Sequence, residues 1–556
     1  MATYYVDPAG SNGNAGTSPG VAWATLAYAH TNTVNDTQTT ILLKRGAIHY
    51  VPDTVQPTHR GLDNTRRFVY GAYGDGERPI VRPDPAWVTP RSYMWAIYTN
   101  TRFTTFQDII FDADLNPNVG SPFAFAAANT INTGDIIVRR CSFRNSYQNP
   151  GLNMVLYGGG AQAAYYYYSI LIEDCDATNN GAHGFYLSGR GTQVRNCLAD
   201  GNGKRGTSGG HGFSTQGGGR TSITGTTGWT LVSGTTYYRD VAADGVDVFG
   251  VFSHDLVSGG SSTYPALVRT AGTVTTPAAG EYGVDTSTTP DRLYVNFNAA
   301  IGGGTTIIYI QGNDSITIAD CVARNTVANN ESAYFEGTGF QFDDCAINSK
   351  ILRCISYNND GSGFRSNNTQ SNSFISCVSL NNACTGFWVN ESRDVSCVGV
   401  TSYKDGSGSP IGRSLVRALP GGSIFAFTGV MSINNRGFVL RNYAINSGGR
   451  PSSIRMNSSA MDATLSTVEY GACEEFATAV QDTSSVAYLG GVGYSISGTA
   501  QNVGTPLLTS AGHLGAGSAA IHAGLFDGYR RAANGQFYNP PSIGAYEYVT
   551  ARTARV

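Results

Sequence analysis

The stretch LRCISYNNDGSGFRSNN, residues 352–368, decides the fold, because the same order of residues recurs along the chain. Six of the seven repeats have an apolar residue three positions before a cysteine, and five of the seven have an asparagine four positions after it. The cysteines are Cys141, Cys175, Cys197, Cys321, Cys354, Cys377 and Cys397. Their spacing is 20 to 34 residues, with one interval of 124 residues. A repeat of this length is typical of a solenoid.

Three short strands and three corners explain the pattern within one repeat. The apolar residue and the cysteine both suit the interior, but a straight strand alternates its side chains with a period of two, so a corner must lie between them. The asparagine favours a second corner, because its side chain bonds to local backbone and tolerates left-handed conformations. A Gly-Phe pair, such as Gly363-Phe364, begins a third strand. One repeat therefore predicts one coil of a parallel β-helix, in which equivalent residues stack from coil to coil.

The cysteines are predicted to be buried packing residues of this stack. The sequence contains no CxxC or CxxH spacing of the kind that metal sites favour. Ten cysteines in 556 residues are also too sparse for the framework of a small disulfide-rich protein. A disulfide between neighbouring coils is nevertheless geometrically conceivable, since such coils lie about 5 Å apart.

Composition narrows the classes of partner. A net charge of −3 and a charged fraction of 13% argue against nucleic acid or an anionic membrane as partner. No apolar run of about 20 residues occurs, so no membrane-spanning helix is predicted. The start MATYYVDPAG lacks the basic and apolar regions of a secretory signal peptide. This start fits a cytoplasmic product, a virion component or a trimmed form of a secreted protein.

The chain is predicted to have five segments. A strand, a turn cluster and a short amphipathic helix predict an N-terminal cap over residues 1–40. Coils are predicted over residues 41–218 and 313–445, and terminal coils with a C-terminal cap over residues 446–556. Residues 219–312 lack the repeat and alternate apolar with polar residues, as antiparallel strands do. The predicted fold class is therefore all-β: a parallel β-helix with three strands per coil and an inserted antiparallel β-sandwich-like module.

Three pieces of the sequence together resemble the pectate-lyase-like right-handed parallel β-helix superfamily: the repeats, the N-terminal YYVDPAGSNGNAGTSP and the C-terminal AIHAG and PSIGAYEY. The resemblance covers nearly the whole chain outside the insert. It implies a polysaccharide ligand, because members include lyases, glycoside hydrolases, epimerases and bacteriophage tailspikes or capsule depolymerases. A start without an export signal resembles the tailspike members most, which implies a homotrimer in the virion tail that binds and cleaves a bacterial surface glycan. The alternatives are a secreted bacterial lyase or hydrolase, and a non-catalytic virion or adhesin attachment protein.

The strand that Gly-Phe begins provides the predicted binding face. Since the Phe points inward, the next residue and the one two further on point outward. The first outward set, which we call the polar column, consists of Tyr186, Ser214, Gln341, Arg365 and Trp388. The second column consists of Ser188, Gln216, Asp343, Asn367 and Asn390. These aromatic, amide and guanidinium groups suit a sugar chain, because rings stack on aromatic side chains and arginine binds carboxylates; the alternative is a solvated polar face.

Catalysis would use charged or titratable groups of the same face. For hydrolysis, the candidate carboxylates are Asp343, Asp344, Glu336 and Glu391. Carboxylates one coil apart would approach the ~5 Å separation of a retaining glycosidase, and those two coils apart, such as Asp343 and Glu391, the larger separation of an inverting one. For a lyase, Arg365 would neutralise a uronate, and His211 or Tyr186 would be the base.

Cofactor requirements follow from the same candidates. No cofactor is required by the sequence, although a divalent cation could assist a lyase. His183 and His211 each precede a Gly-Phe pair and are expected to stack near one corner. They are predicted to be a structural pair rather than a metal site, because no third ligand is identifiable.

Overall fold

The computed structural model describes most of residues 2–405 and shorter segments beyond them. The described residues are 2–35, 37–57, 59–97, 101–125, 133–154, 167–205, 210–216, 220–224, 228–241, 248–254, 268–270, 273–279, 281–285, 287–288, 292–296, 306–311, 315–328, 337–343, 346–367, 369, 371–390, 395–398, 400–403, 405, 416–418, 424–428, 431–433, 440–442, 453–461, 473–480 and 496–501.

Three parallel sheets run along the β-helix, and successive coils add short strands to them. The strands of sheet 1 are Ala2–Val6, Thr39–Lys44, Phe68–Tyr73, Thr104–Gln107, Thr133–Arg139, Tyr167–Glu173, Gln193–Arg195, Thr317–Ala319, Lys350–Leu352, Ser373–Ile375, Val395–Val398, Ile424–Thr428, Ser453–Met461, Cys473–Val480 and Ile496–Gln501. Those of sheet 2 are Ile48–Val51, Ile80–Pro83, Ile110–Asp112, Ser142–Arg144, Asp176–Thr178, Leu198–Asp200, Val322–Arg324, Ile355–Tyr357, Val378–Leu380, Thr401–Tyr403 and Met431–Ile433. Those of sheet 3 are Arg91–Ile97, Val119–Phe125, Leu152–Asn153, Phe185–Leu187, Phe213–Gln216, Phe340–Asp343, Phe364–Asn367, Phe387–Asn390, Val416–Ala418 and Leu440–Asn442.

The corner between sheets 1 and 2 has a left-handed residue followed by the buried cysteine, which confirms the predicted corner. The backbone angle φ lies between 51° and 56° at Arg140, Asp174, Asn196, Asp320, Arg353 and Ser376. Such angles are unusual for residues other than glycine. Ion pairs between coils hold several of these side chains: Arg140 donates twice to Asp108, at 2.8 Å each, and Arg353 donates twice to Asp320, at 2.7 and 2.6 Å.

The predicted cysteine stack is confirmed. All seven repeat cysteines are at most 3% exposed, and Cys354 is fully buried. The backbone N–H of Cys141 donates to Sγ of Cys175 on the next coil at 3.4 Å, and that of Cys197 donates to Sγ of Cys321 at the same distance. Burial raises the pKa of the Cys141 thiol well above its usual value. These thiols are therefore packing groups of the core.

The corner after sheet 2 holds two neighbouring rows of asparagines. The first row is left-handed, with φ between 52° and 59° at Asn145, Asn179, Asn325, Asn358 and Asn381. The following residue points inward, and the amide of Asn180 donates to Asn202 at 3.0 Å, as that of Asn359 donates to Asn382 at 2.8 Å. The first row confirms the corner that the sequence predicted. The side chains of the inward row form hydrogen bonds with buried backbone groups of neighbouring coils. In the repeated Asn-Asn pairs, the first asparagine therefore forms the corner and the second pairs with buried polar groups.

The Gly-Phe pairs build the core against sheet 3. Neighbouring rings in the row Phe185, Phe213, Phe340, Phe364 and Phe387 have centroids 4.7 to 5.2 Å apart and planes within 7° of parallel. Each of these rings is fully buried. The preceding glycine is required by a close approach, because a Cβ at Gly339 would lie 2.0 Å from Oγ of Ser356, and one at Gly363 would lie 2.0 Å from Oγ of Ser379. The small residue two positions after each cysteine and the glycine before each Phe thus occupy the same narrow space.

The N-terminal coils carry a short helix. Residues Pro19–Val21 form a 3-10 turn and Leu26–Asn32 an α-helix, whose first turn is capped by the Thr25 hydroxyl, which accepts the N–H of Tyr28 at 3.2 Å. Leu26 and Ala29 face inward and join the core of the coils. No helix among the described residues is long and apolar enough to cross a membrane.

The insert contains two further sheets, which confirms the predicted change of architecture. One is antiparallel and consists of Arg220–Thr224, Thr306–Gln311 and Val248–His254. The other has four antiparallel strands and one short strand that pairs in parallel: Thr230–Ser233, Thr236–Asp240, Arg292–Asn296, Glu281–Asp285 and Val268–Arg269. Tyr282, Leu293 and Val295 are fully buried on one side of it.

Candidate functional site

The polar column forms a continuous row on sheet 3. The strands pair in parallel, so that Tyr186 lies beside Ser214, Ser214 beside Gln341, Gln341 beside Arg365 and Arg365 beside Trp388. The row alternates with the buried Phe row on the same strands, as the period of two requires. The predicted placement of these five residues in one column is confirmed.

The exposure predicted for the polar column is wrong. The exposed fraction is 2% for Tyr186, 0% for Ser214, 1% for Gln341, 4% for Arg365 and 3% for Trp388. Strand alternation determines on which side of a sheet a side chain lies, but it does not determine whether that side is covered. Since water is largely excluded from this row, polar interactions within it are stronger than they would be on an open surface.

The polar column contains buried polar atoms that lack a hydrogen-bond partner. Among the described residues, Oγ of Ser214 and Oε1 of Gln341 have no hydrogen-bond partner. Beside them, the guanidinium carbon of Arg365 lies 5.0 Å from the ring centroid of Trp388, which is a cation–π contact. Most buried polar atoms in proteins are hydrogen-bonded, so atoms that are not call for an explanation.

The second column supplies a carboxylate and amides. The hydroxyl of Tyr186 donates to Oε1 of Gln216 at 3.0 Å, and this contact joins the two columns. The amide of Asn367 donates to Oδ1 of Asp343 at 2.8 Å and so orients the carboxylate. Asn390 continues the row beside Asn367, as its strand register shows. Asp343 is half-buried, in contrast to the fully covered polar column.

The register of the strands in sheet 3 determines which candidate residues lie close enough to act on the same sugar unit. Tyr186 and Arg365 lie three strands apart, about 14 Å, so Tyr186 is too distant to act as base at a carbon whose carboxylate Arg365 binds. Asp343 lies on the strand adjacent to Arg365 and two residues further along, about 8 Å between backbone positions. The structure therefore brings Asp343 and Arg365 together and separates Tyr186 from both.

The two histidines stack next to Tyr186, as predicted for a structural pair. The ring centroids of His183 and His211 are 4.9 Å apart with planes 10° from parallel, and the His183 ring lies 4.6 Å from that of Tyr186. Nδ1 of His183 accepts the backbone N–H of His211 at 3.1 Å. The sequence did not lead us to predict the contact between His183 and the polar column. The position of His183, three residues before Tyr186 in AHGFY, could have indicated it.

Burial keeps both histidines neutral. Desolvation lowers the pKa of His183 to about 4 and that of His211 well below its usual value, with smaller contributions from the charges of His183 and Arg365 to the latter. Nδ1 of His211 accepts the backbone N–H of Thr338 at 3.3 Å, so the ring proton lies on Nε2. In this tautomer Nε2 of His211 is a hydrogen-bond donor, and the role of His211 as the base stays a prediction.

Asp344, Glu336 and Glu391 lie outside the described residues, so the separation of the predicted carboxylate pairs stays a prediction. Within the described part of the chain, no group of three or more His, Cys, Asp or Glu side chains could hold a metal ion.

Several solved structures resemble this chain at low sequence identity. No family model and no curated protein matches the chain. Among solved structures, pectate lyase Pel9A is 15% identical, with 98% of this chain and 96% of that chain covered and a TM-score of 0.46. The complex of XylC with xylose is 9% identical over 86% of each chain, with a TM-score of 0.42. The A-module of the mannuronan C-5 epimerase AlgE6 from Azotobacter vinelandii is 10% identical over 87% of this chain and 95% of that one, with a TM-score of 0.42.

The order and parallel pairing of the strands themselves show a parallel β-helix with three strands per coil, as the sequence predicted.

Proposed function

We propose that this protein binds a polysaccharide along sheet 3 and cleaves it beside Asp343 and Arg365. The observation that carries the proposal is the pair of buried acceptors, Oγ of Ser214 and Oε1 of Gln341, which have no partner among the described residues. Leaving a buried polar atom unsatisfied costs about 1–3 kcal/mol. Because the column is covered in the free protein, a glycan would have to displace that cover, and its hydroxyls would then donate to both atoms.

Arg365 favours an acidic sugar as the unit that reacts. Its planar guanidinium can bind a carboxylate through two parallel hydrogen bonds, and burial strengthens that interaction. A uronate neutralised in this way loses the proton α to its carboxylate more easily. Asp343, oriented by Asn367, would take that proton as the glycosidic C–O bond breaks, and the departing oxygen would take a proton from solvent. This elimination needs no further reactant.

Hydrolysis is the alternative chemistry for the same residues. Asp343 would then protonate the glycosidic oxygen or activate water, together with a second carboxylate such as Glu391. The two chemistries differ in their products, because elimination leaves an unsaturated uronate that absorbs ultraviolet light and hydrolysis does not.

Digestion of defined polysaccharides tests the proposal. We would incubate the protein with alginate, polygalacturonate, hyaluronan, xanthan and dextran, and measure both unsaturated-uronate absorbance and new reducing ends. Arg365→Ala and Asp343→Asn should each reduce the rate on an acidic substrate at least a hundredfold, as expected for lost charge stabilisation or a lost base. Arg195→Ala, which removes an exposed arginine from sheet 1, is the matched control and should leave the rate unchanged.

Three outcomes of this experiment distinguish elimination, hydrolysis and binding without catalysis. Absorbance that both variants abolish supports elimination. Reducing ends without absorbance, lost in Asp343→Asn, would establish hydrolysis instead. Binding without any product from these glycans would favour an attachment protein and overturn the catalytic assignment.

As the biological setting, we propose a phage tailspike or tail-fibre-like depolymerase in the virion tail that acts on a bacterial surface glycan. A homotrimer is expected for this setting, whereas a monomer would favour a secreted bacterial lyase or hydrolase. Light scattering coupled to gel filtration distinguishes the two by molar mass, since the chain is 58.7 kDa.

A further inference from the structure

A groove crosses the first three coils of sheet 3, at a distance from Asp343 and Arg365. It consists of two cavities of about 550 and 360 Å³. Both cavities are lined by residues 90–93, so they adjoin. The first extends to Gln56 on one side, and the second extends to Tyr147 and Asn153 on the other. None of these residues was singled out by the sequence.

Regular parallel sheet forms the floor of the groove. It is built on the paired strands Arg91–Ile97, Val119–Phe125 and Leu152–Asn153 of sheet 3. A Cβ at Gly120 would lie 1.9 Å from the carbonyl oxygen of Ser92, so only glycine permits this approach of the first two strands. The groove therefore exists before any ligand binds, which reduces the entropy lost on binding.

The lining has the chemistry of a site for neutral sugars. Tyr93 and Tyr147 are half-buried and offer aromatic surface. The amide side chains that line the groove can donate to and accept from hydroxyl groups: Gln56, Asn118, Gln148, Asn149 and Asn153.

The charged groups of the groove neutralise each other. Arg91 donates twice to Asp53, at 2.7 and 2.9 Å. These hydrogen bonds, with one from the backbone of Thr54, lower the pKa of Asp53 to about 2, so the pair stays ionised and paired at neutral pH. A groove with aromatic and amide groups and no net charge fits uncharged pyranose units better than uronates.

The groove leads into the polar column. Asn153 lies beside Tyr186 in the register of sheet 3, and Tyr186 is the first residue of the column. Arg365 is six strands along the sheet from Arg91, about 29 Å at ~4.8 Å per strand. A glycan of several sugar units could therefore contact both regions, whereas a disaccharide could not.

We infer that this groove is a separate binding site for the neutral sugar units of a uronate-containing heteropolysaccharide. The inference rests on the proposed function, since it assigns the acidic unit of the same glycan to Arg365. The groove holds the chain by stacking and hydroxyl contacts, and the column performs the reaction several units away.

Binding measurements on the full chain test this site. The probes are xanthan and gellan, which combine uronate with neutral sugars, and alginate, which is uronate only. Affinity electrophoresis of Tyr93→Ala/Tyr147→Ala should show at least a tenfold weaker retardation by xanthan or gellan than wild type, and an unchanged retardation by alginate. Tyr93→Phe/Tyr147→Phe keeps the rings and should retain most of the binding, and thermal unfolding would verify that each variant is folded.

The matched control is Tyr50→Ala, because Tyr50 is an exposed tyrosine on sheet 2 outside the groove. It should bind every probe as wild type does. Equal retardation of wild type and Tyr93→Ala/Tyr147→Ala by xanthan and gellan, or no retardation of wild type by either, would overturn the groove assignment.

Failure of the groove and failure of the proposed function give different results. Cleavage that Arg365→Ala abolishes, combined with normal binding by the tyrosine variants, would remove the groove and leave the proposed function intact. Xanthan or gellan binding that depends on Tyr93 and Tyr147, without cleavage of any probe, would support the groove and overturn the catalytic proposal.

Discussion

The corners and the polar column differ in whether their polar side chains have hydrogen-bond partners in the neighbouring coil. At the corner between sheets 1 and 2, charged residues meet a complementary partner one coil away, as Arg140 meets Asp108 and Arg353 meets Asp320. In the polar column, Oγ of Ser214 and Oε1 of Gln341 are buried without a hydrogen-bond partner among the described residues. A repeat satisfies polar groups when neighbouring coils carry equal or complementary residues. Five different residues in the polar column cannot form such a ladder, and this irregularity marks the part of the repeat suited to a ligand.

The largest expected effect comes from the inward side of the same strand. Phe340→Ala should lower the free energy of unfolding by about 3–5 kcal/mol, because it leaves a cavity between the stacked rings of Phe213 and Phe364. Urea unfolding of the variant measures this loss. A loss below about 1 kcal/mol would mean that the Phe row does not stabilise the coils as its burial indicates.

The histidines beside the polar column should make stability sensitive to mild acid. Below pH 6.5 the unfolded chain takes up protons that buried His183, with its pKa of about 4, does not, so the free energy of unfolding should fall between pH 6.5 and 4. The contribution is on the order of 3 kcal/mol at the acid end, from 1.36 kcal/mol per pKa unit. His183→Gln should reduce this slope in urea unfolding measured from pH 7 to pH 4.

The corner carboxylates should respond in a lower pH range. The pKa of Asp108 is lowered, chiefly by its hydrogen bonds with Arg140, so its stabilisation is present above its usual pKa near 3.8 and is lost as the pH falls below it. An unchanged slope in His183→Gln between pH 6.5 and 4 would assign the effect to other histidines whose pKa is lowered, such as His30 and His49.

A substitution in the polar column should separate stability from binding. Gln341→Met removes the unsatisfied oxygen at nearly constant volume, so the free energy of unfolding should stay constant or rise by about 1 kcal/mol. Glycan binding should weaken about tenfold, because one acceptor for a sugar hydroxyl is lost. Urea unfolding and affinity electrophoresis measure the two effects. A clear loss of stability would show that Gln341 serves the fold as the corner residues do.

The smallest effect is expected at the corner. Arg353→Ala breaks a bidentate ion pair with Asp320 that is 23% and 40% exposed, so it should lower the free energy of unfolding by less than about 1 kcal/mol. Urea unfolding at low and at high salt measures the loss, which should shrink as salt screens the pair. A loss of several kcal/mol would mean that the pair also relieves the strain of the left-handed backbone at Arg353.

Much of the fold could be predicted from single residues. Cys354, Asn358 and Phe364 lie where the repeat placed them, because corners and strand alternation depend on local backbone preferences. The site could be predicted only in part. Arg365 and Asp343 were assigned to the correct columns, but the tautomer of His211 could not be predicted, because it depends on the backbone N–H of Thr338, a residue that the insert separates from it in the chain.

The sequence by itself determined the repeat, its three strands and corners, and the inward or outward side of each residue, since these follow from patterns within about 30 residues. Only the tertiary structure decided that the polar column is covered, that Tyr186 is too far from Arg365 to share its substrate unit, and that Asp53, Tyr93 and Tyr147 line one groove. These properties depend on which coil lies beside which and on what packs over it. Contacts between residues distant in sequence determine both, and no local pattern encodes them.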